Sequence, residues 1–338
     1  MAKEYTTEKI RNIALIGHQG TGKTTLNEEL LYFMGAIPKP GKVSLKNTVS
    51  DIDDDEQERQ TSIHSSVSFG EYEGCKINII DCPGMGDFAG QVLSALKAVE
   101  AAIVLVDAVD GIQMETEKMW RYAKENNKPR IIFINKVDKE NSKFFNVLNA
   151  VSEKFKQPVV PIDIPLGEGA HFKGVIDLIE MKAYIPEENS PKVKVSDIPA
   201  DMMELSKEYR DKLIEIIAET DDEMTMKFLD GQELSAEEVK KGLSRGITEG
   251  RAILATCGSS EKGIGIGRLL ELIVKELPAP DYNPVVEGFA PGKSGEKLKR
   301  KVNSAEPFSA IVFKTRIDKY TGRLNYNKDI SGKITTES

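Results

Sequence analysis

Short unbroken apolar runs, separated by longer stretches with helical spacing, dominate the first half of the chain. Asn12 to Ile16, Lys76 to Ile80 and Ile131 to Ile134 are too short for helices and too continuous for half-exposed strands, so each predicts a strand buried on both faces. Thr24 to Phe33 predicts a helix directly after the first strand, and the alternation continues to about Lys156. It returns with a strand from Ala252 to Ala255 and a helix from Ile266 to Leu277. Alternation of this kind predicts an α/β fold, a doubly wound and mostly parallel sheet.

The pattern changes between these two stretches. Val159 to Ile164 and Val175 to Ile185 read as strands, and Pro199 to Ala218 and Ala236 to Leu243 as amphipathic helices with acidic outer faces, which predicts an inserted α+β subdomain. Pro278 to Pro291 is proline-rich and reads as a linker, and Ser309 to Lys314 opens a β-rich segment that reaches Ser338 short of a closed barrel. The expected division is residues 1–158 for the first part of the main domain and 159–250 for the insertion. Residues 251–282 follow as the last strand and helix of the main domain, and 283–338 as the linker and start of a β-barrel.

Glycines and polar residues at the ends of the buried runs carry the candidate chemistry. Gly17-His18-Gln19-Gly20-Thr21-Gly22-Lys23-Thr24 is a complete G-x-x-x-x-G-K-[ST] phosphate loop between a strand and a helix. Its glycines let backbone N–H groups close on phosphate oxygens, Lys23 supplies a positive charge, Thr24 supplies a hydroxyl for magnesium, and Thr25 follows in the first helical turn. Asp81, in Asp81-Cys82-Pro83-Gly84, ends a buried strand, where it can hold magnesium through water while the Gly84 N–H faces a terminal phosphate. Asn135-Lys136-Val137-Asp138 ends another. A carboxylate at Asp138 accepts from both N1–H and the exocyclic amine of guanine, adenine offers no matching donors, and Lys136 lies along the base. Together these segments predict a P-loop GTPase with GTP, GDP and Mg²⁺ as ligands.

Composition narrows the setting. A 40% hydrophobic content without a long apolar run indicates a globular protein with no membrane segment and no signal peptide. Cys75, Cys82 and Cys257 fit no metal spacing and predict reduced thiols in the cytoplasm. A net charge of −8 argues against a broadly RNA-coating surface, so any RNA contact is local. The dense basic run from Lys293 to Lys301 reads as a solvated loop, with an RNA contact as the alternative. Asp51 to Glu58 concentrates carboxylates just before Ser62 and reads as a loop held open by repulsion in the absence of nucleotide.

Further segments carry a resemblance. Thr256-Cys257-Gly258-Ser259 followed by Leu277-Pro278-Ala279-Pro280, Phe172 to Leu178, Asp197 to Met202 and Glu306 to Ala310 are together similar to translation elongation factor G over nearly the whole chain. The resemblance implies a monomeric GTPase acting on the ribosome, touching rRNA and ribosomal proteins. It makes Ser259 and Ser260 the last guanine loop, with the Ser259 N–H on the base, and Ser62 a second hydroxyl ligand of magnesium. It also implies that this chain is an N-terminal piece, with tRNA and mRNA reached only by domains beyond it.

The chain departs from that family where hydrolysis is triggered. The family's water-orienting histidine is Met85, a thioether that donates no hydrogen bond. Two apolar residues that flank that histidine are here Gln19 and Thr61, and the acidic residue of the family's phosphate loop is Gly20. Impaired hydrolysis is therefore expected, with Gln19 as a candidate substitute for the lost group. A binding switch with little turnover and a ribosomal protection factor of the tetracycline-resistance kind are the alternative readings.

Overall fold

A computed structural model describes residues 4–187, 190–251, 253–290, 295–318 and 322–334. Its elements run β1 (Ile10–Gly17), α1 (Lys23–Phe33), α2 (Asp54–Arg59), β2 (Ser66–Tyr72), β3 (Cys75–Asp81), α3 (Ala89–Ala98), β4 (Ala101–Asp107), α4 (Met114–Glu125), β5 (Arg130–Asn135) and α5 (Phe144–Phe155). There follow β6 (Val159–Pro161), β7 (Asp163–Leu166), β8 (Gly174–Asp177), β9 (Lys182–Pro186), β10 (Val193–Ser196), α6 (Met203–Ala218), α7 (Asp222–Leu229) and α8 (Ala236–Thr248). The chain continues through β11 (Ile253–Cys257), α9 (Ile266–Glu276), β12 (Val285–Phe289), β13 (Lys297–Lys301), β14 (Ser309–Asp318) and β15 (Gly322–Ser331). Ala252 of the predicted strand, Pro291 of the linker, Lys293 of the basic run and Ser338 lie outside the described residues.

The main sheet has seven strands in the order β2-β3-β1-β4-β5-β11-β6, parallel except for β2. Every residue of β4 is buried, because helices cover both faces of a central parallel strand and leave no solvent side. The edge strand β2 instead alternates buried and exposed residues. Gly17, Asp81 and Asn135 end β1, β3 and β5, so the parallel topology delivers them to one edge of the sheet.

The insertion is a four-stranded antiparallel sheet, β10-β9-β8-β7, with helices α6 to α8. Its junction with the main domain is polar and buried. Asp163 accepts from Thr256 Oγ1 at 2.5 Å and from the Cys257 N–H at 2.8 Å, and Arg268 of α9 pairs with Asp177 of β8 at 2.7 Å. Burial pushes the Asp163 carboxyl up to about 6, against the bonds from Thr256 and Cys257 that favour its ionised form.

Four sequence expectations change here. Val159–Pro161, expected to open the insertion, pairs with β11 as the last strand of the main sheet, because the buried run continues across the point where the chain leaves it. Lys297–Lys301 is a strand, not a loop: it pairs with β12, and Lys297 and Lys299 meet Glu287 across the hairpin. The acidic run contains the helix α2, since carboxylates in a first turn face unsatisfied N–H groups and Asp53 with Glu56 closes a capping box. The helix expected from Ala236 to Leu243 continues to Thr248.

The β14–β15 hairpin packs on the main domain. Lys314 Nζ donates to the Ser65 carbonyl, Arg316 pairs with Asp53 at 2.5 Å, and Lys328 pairs with Glu100. Among the described residues no helix is long and apolar enough to cross a membrane, and Cys75, Cys82 and Cys257 are buried free thiols.

Candidate nucleotide site

The phosphate loop has its shape because two of its glycines cannot be anything else. Gly17 has φ +146° and a Cβ there would lie 2.6 Å from the Leu105 carbonyl oxygen; at Gly22, φ +92°, a Cβ would lie 2.4 Å from Asn135 Nδ2. Lys23 begins α1 and is buried, with Nζ donating to the carbonyls of Gly17 at 3.0 Å and His18 at 2.7 Å. Burial pulls its ammonium down to about 8, partly opposed by Asp81. A phosphate placed beside it would stabilise the charged form and offset that cost. His18 also accepts at its carbonyl from the Thr21 N–H and hydroxyl, and its imidazole is held below the ordinary histidine range by burial and then by Lys23.

Beside the loop, oxygen ligands converge. Thr24 Oγ1 donates to Asp81 Oδ2 at 2.8 Å and lies 3.1 Å from Ser62 Oγ, and Asp51 lines the same cleft. Asp81 Oδ1 and Asp51 Oδ2 are buried without a hydrogen-bond partner. Burial drives the Asp81 carboxyl up to about 7, and the Asp51 carboxyl is raised from the same cause. Two hydroxyls and two underbonded carboxylates suit a hard cation that keeps waters and takes phosphate oxygens, as Mg²⁺ does. Asp51 was not singled out in the sequence, where it is one of a crowd of carboxylates; only the fold distinguishes the one turned inward.

Ser62 is placed by α2. Glu56 is buried in that helix and its Oε1 accepts from the N–H groups of Ile63 at 3.0 Å and His64 at 2.9 Å. The result is a cleft of about 260 Å³ lined by Gln19, Gly20, Gly22, Lys23, Thr24, Thr25, Asp51, Thr61, Ser62 and Gly84, with Val43 and Gln60. Gly84 is tight against the loop: a Cβ there would lie 2.5 Å from both the Gln19 nitrogen and Lys23 Nζ. Met85 is half-buried and does not line the cleft, whereas Gln19 does, its Nε2 donating to Thr61 Oγ1 at 3.1 Å.

The second half of the site is tied to the first by one residue. Asn135 is buried; its Nδ2 donates to the Thr21 carbonyl at 2.8 Å and its Oδ1 accepts from Ser260 N–H at 2.9 Å and Ser260 Oγ at 3.0 Å. Lys136 has φ +64° and its Nζ pairs with Asp107 at 2.6 Å. Asp138 is buried with Oδ1 unpartnered, and its Oδ2 lies 3.9 Å from Lys139 Nζ and 4.0 Å from Lys262 Nζ. A buried carboxylate left underbonded is costly until donors arrive, which suits recognition of a base edge with two N–H donors. Ser259 differs from expectation. Its N–H donates to the Ile264 carbonyl at 3.0 Å, because the turn that follows β11 closes on itself, so that donor is already committed.

The profile of the family described as "Elongation factor Tu GTP binding domain" matches residues 8–279. The chain belongs to that family. It is accordingly a guanine-nucleotide-binding, elongation-factor-like GTPase, and the match spans both the main domain and the insertion. A crystal structure of a protein from Thermus thermophilus is similar, with a TM-score of 0.84 and 32% identity over 96% of this chain. The chain of this elongation factor Tu-type GTPase covers 46% of the length of that protein.

Proposed function

We propose that the chain is the nucleotide switch of a cytoplasmic, elongation factor G-like GTPase that acts on the ribosome, with translocation of tRNA and mRNA carried out by the whole protein. The observation that carries this is the placement of three sequence-distant loops around Asn135, with an underbonded Asp138 on one side and the Thr24, Ser62 and Asp81 oxygens on the other. In this reading Gly17 to Thr25 hold the phosphates, and Thr24 and Ser62 ligate Mg²⁺, with Asp81 and Asp51 reaching it through water. Asp138 reads guanine, Lys136 lies along its face, and Ser260 closes the loop. Bound magnesium would neutralise charge on the phosphates, while Lys23 and the Gly84 N–H face the terminal one.

Hydrolysis is slower than in relatives with a histidine in place of Met85. A thioether neither donates to water nor accepts a proton, and a lost positioned acid/base group costs about two to four powers of ten. Turnover of GTP by the full-length protein, with and without ribosomes, tests this reading. Slow turnover that rises on Met85→His supports it. A native rate that ribosomes already raise strongly, and that Met85→His leaves unchanged, overturns the impaired-trigger part.

A further inference from the structure

We infer that Thr61 is a positioning residue for the hydrolytic water and acts through Gln19, an inference that rests on the reading of this cleft as a GTP-hydrolysing site. Gln19 Nε2 donates to Thr61 Oγ1 at 3.1 Å, and both residues line the phosphate cleft. Gly84, at the terminal-phosphate end, abuts both the Gln19 backbone and Lys23, since a Cβ on Gly84 would lie 2.5 Å from the Gln19 nitrogen and from Lys23 Nζ. Thr61 precedes Ser62, whose Oγ is 3.1 Å from Thr24 Oγ1, so the segment presenting Thr61 is fixed against the same loop.

The chemistry follows from which lone pairs and protons remain. A free glutamine amide can turn either end toward a water. With one Nε2 hydrogen donated to Thr61, the amide is held in one orientation with its carbonyl oxygen left to accept, and the Thr61 hydroxyl, having accepted, keeps its own O–H to donate. The pair therefore offers one acceptor and one donor to a single water beside the γ-phosphate. That water's oxygen forms a bond to the γ-phosphorus as the bond from phosphorus to the β–γ bridging oxygen breaks, and the electron pair leaves with GDP. The water's proton goes to a phosphate oxygen; the carboxamide only orients and takes no proton. Met85 does not line the cleft. Gln60, which also lines the cleft, is the rival group.

Single-turnover GTP hydrolysis with Mg²⁺, measured beside the affinity for a fluorescent non-hydrolysable GTP analogue, tests the pair on this chain. Thr61→Val keeps the shape and removes the hydroxyl; it is expected to slow hydrolysis by about ten- to a hundredfold, the scale of a misplaced reactant, with affinity changed by less than about twofold. Thr61→Ser should restore the rate, and Thr61→Val added to Gln19→Ala should cost nothing beyond Gln19→Ala. The inference is overturned if Thr61→Val hydrolyses at the native rate, if Thr61→Ser is as slow as Thr61→Val, or if the whole effect is on affinity. A native chain that binds the analogue but does not hydrolyse GTP above the uncatalysed rate also overturns it while leaving GTP binding intact. Failure to bind the analogue would overturn it together with the functional reading beneath it.

Discussion

At the scale of single residues, Asp138 has the most to lose and the clearest signature. Its Oδ1 is buried and unpartnered, so it needs donors from a ligand, and guanine supplies two where adenine supplies none. Asp138→Asn exchanges one acceptor for a donor, which matches xanthine. Competition titration should show GTP favoured over ATP by at least about 100-fold in the native chain, and preference moved to xanthosine triphosphate in the variant. Equal native affinities for ATP and GTP would refute the assignment. Most of this site was legible as sequence because phosphate loops and base-reading tetrapeptides need fixed residues at fixed spacing after a buried strand. Asp51 was not, since nothing in a run of carboxylates says which one lines the cleft. The Ser259 N–H, expected on the base, donates instead within the turn that closes on Ile264, between Gly263 and Gly265 at positive φ.

At the scale of elements, the buried strands were readable because a central parallel strand must be apolar on both faces. The edges were not. The short β6 carries the same apolar run as its successor, and only pairing shows that Val159–Pro161 belongs with β11. The helix α2 was hidden because charge repulsion suggested a coil, while the capping box and helix dipole turn the same carboxylates into a stabilising first turn. The joint between β7 and β11 makes a pH prediction. Asp163 has its carboxyl raised by burial to about 6, above its unfolded range near ~4. A raised folded value means the acid form is the one stabilised by folding, so this group's contribution is whole below about 4 and is lost as pH rises through about 6. Denaturant unfolding across that window should show Asp163→Asn with a flatter loss of stability than the native chain. Parallel curves would show that Asp163 titrates normally.

At the scale of the whole molecule, the segment from Asp53 to Ser65 is held from two directions. The phosphate loop bonds its middle through Gln19–Thr61 and Thr24–Ser62, and the β14 strand holds its ends through Arg316–Asp53 and Lys314–Ser65. Arg316 and Asp53 are each about a third exposed, so the pair is worth no more than about 1 kcal/mol, or about fivefold in an equilibrium. Arg316→Ala should weaken binding of a non-hydrolysable GTP analogue by up to that factor and leave GDP unchanged. Hydrogen exchange from Asp51 to Ile63 should be slower with the analogue than with GDP, and Arg316→Ala should narrow the difference. Identical exchange in both nucleotide states would show that this segment does not respond to the γ-phosphate.

The contact of β14 with Asp53 and Ser65 also runs in the opposite direction. Coupling free energy is reciprocal, so whatever a bound terminal phosphate does to the seating of the hairpin, the seating of the hairpin does to retention of the phosphate. A tug on the hairpin would reach the nucleotide as a change in its escape rate. Lys314 and Arg316 would thus act as the two pins of a lever: a load on the hairpin would be reported at the phosphate loop without any ligand touching the cleft.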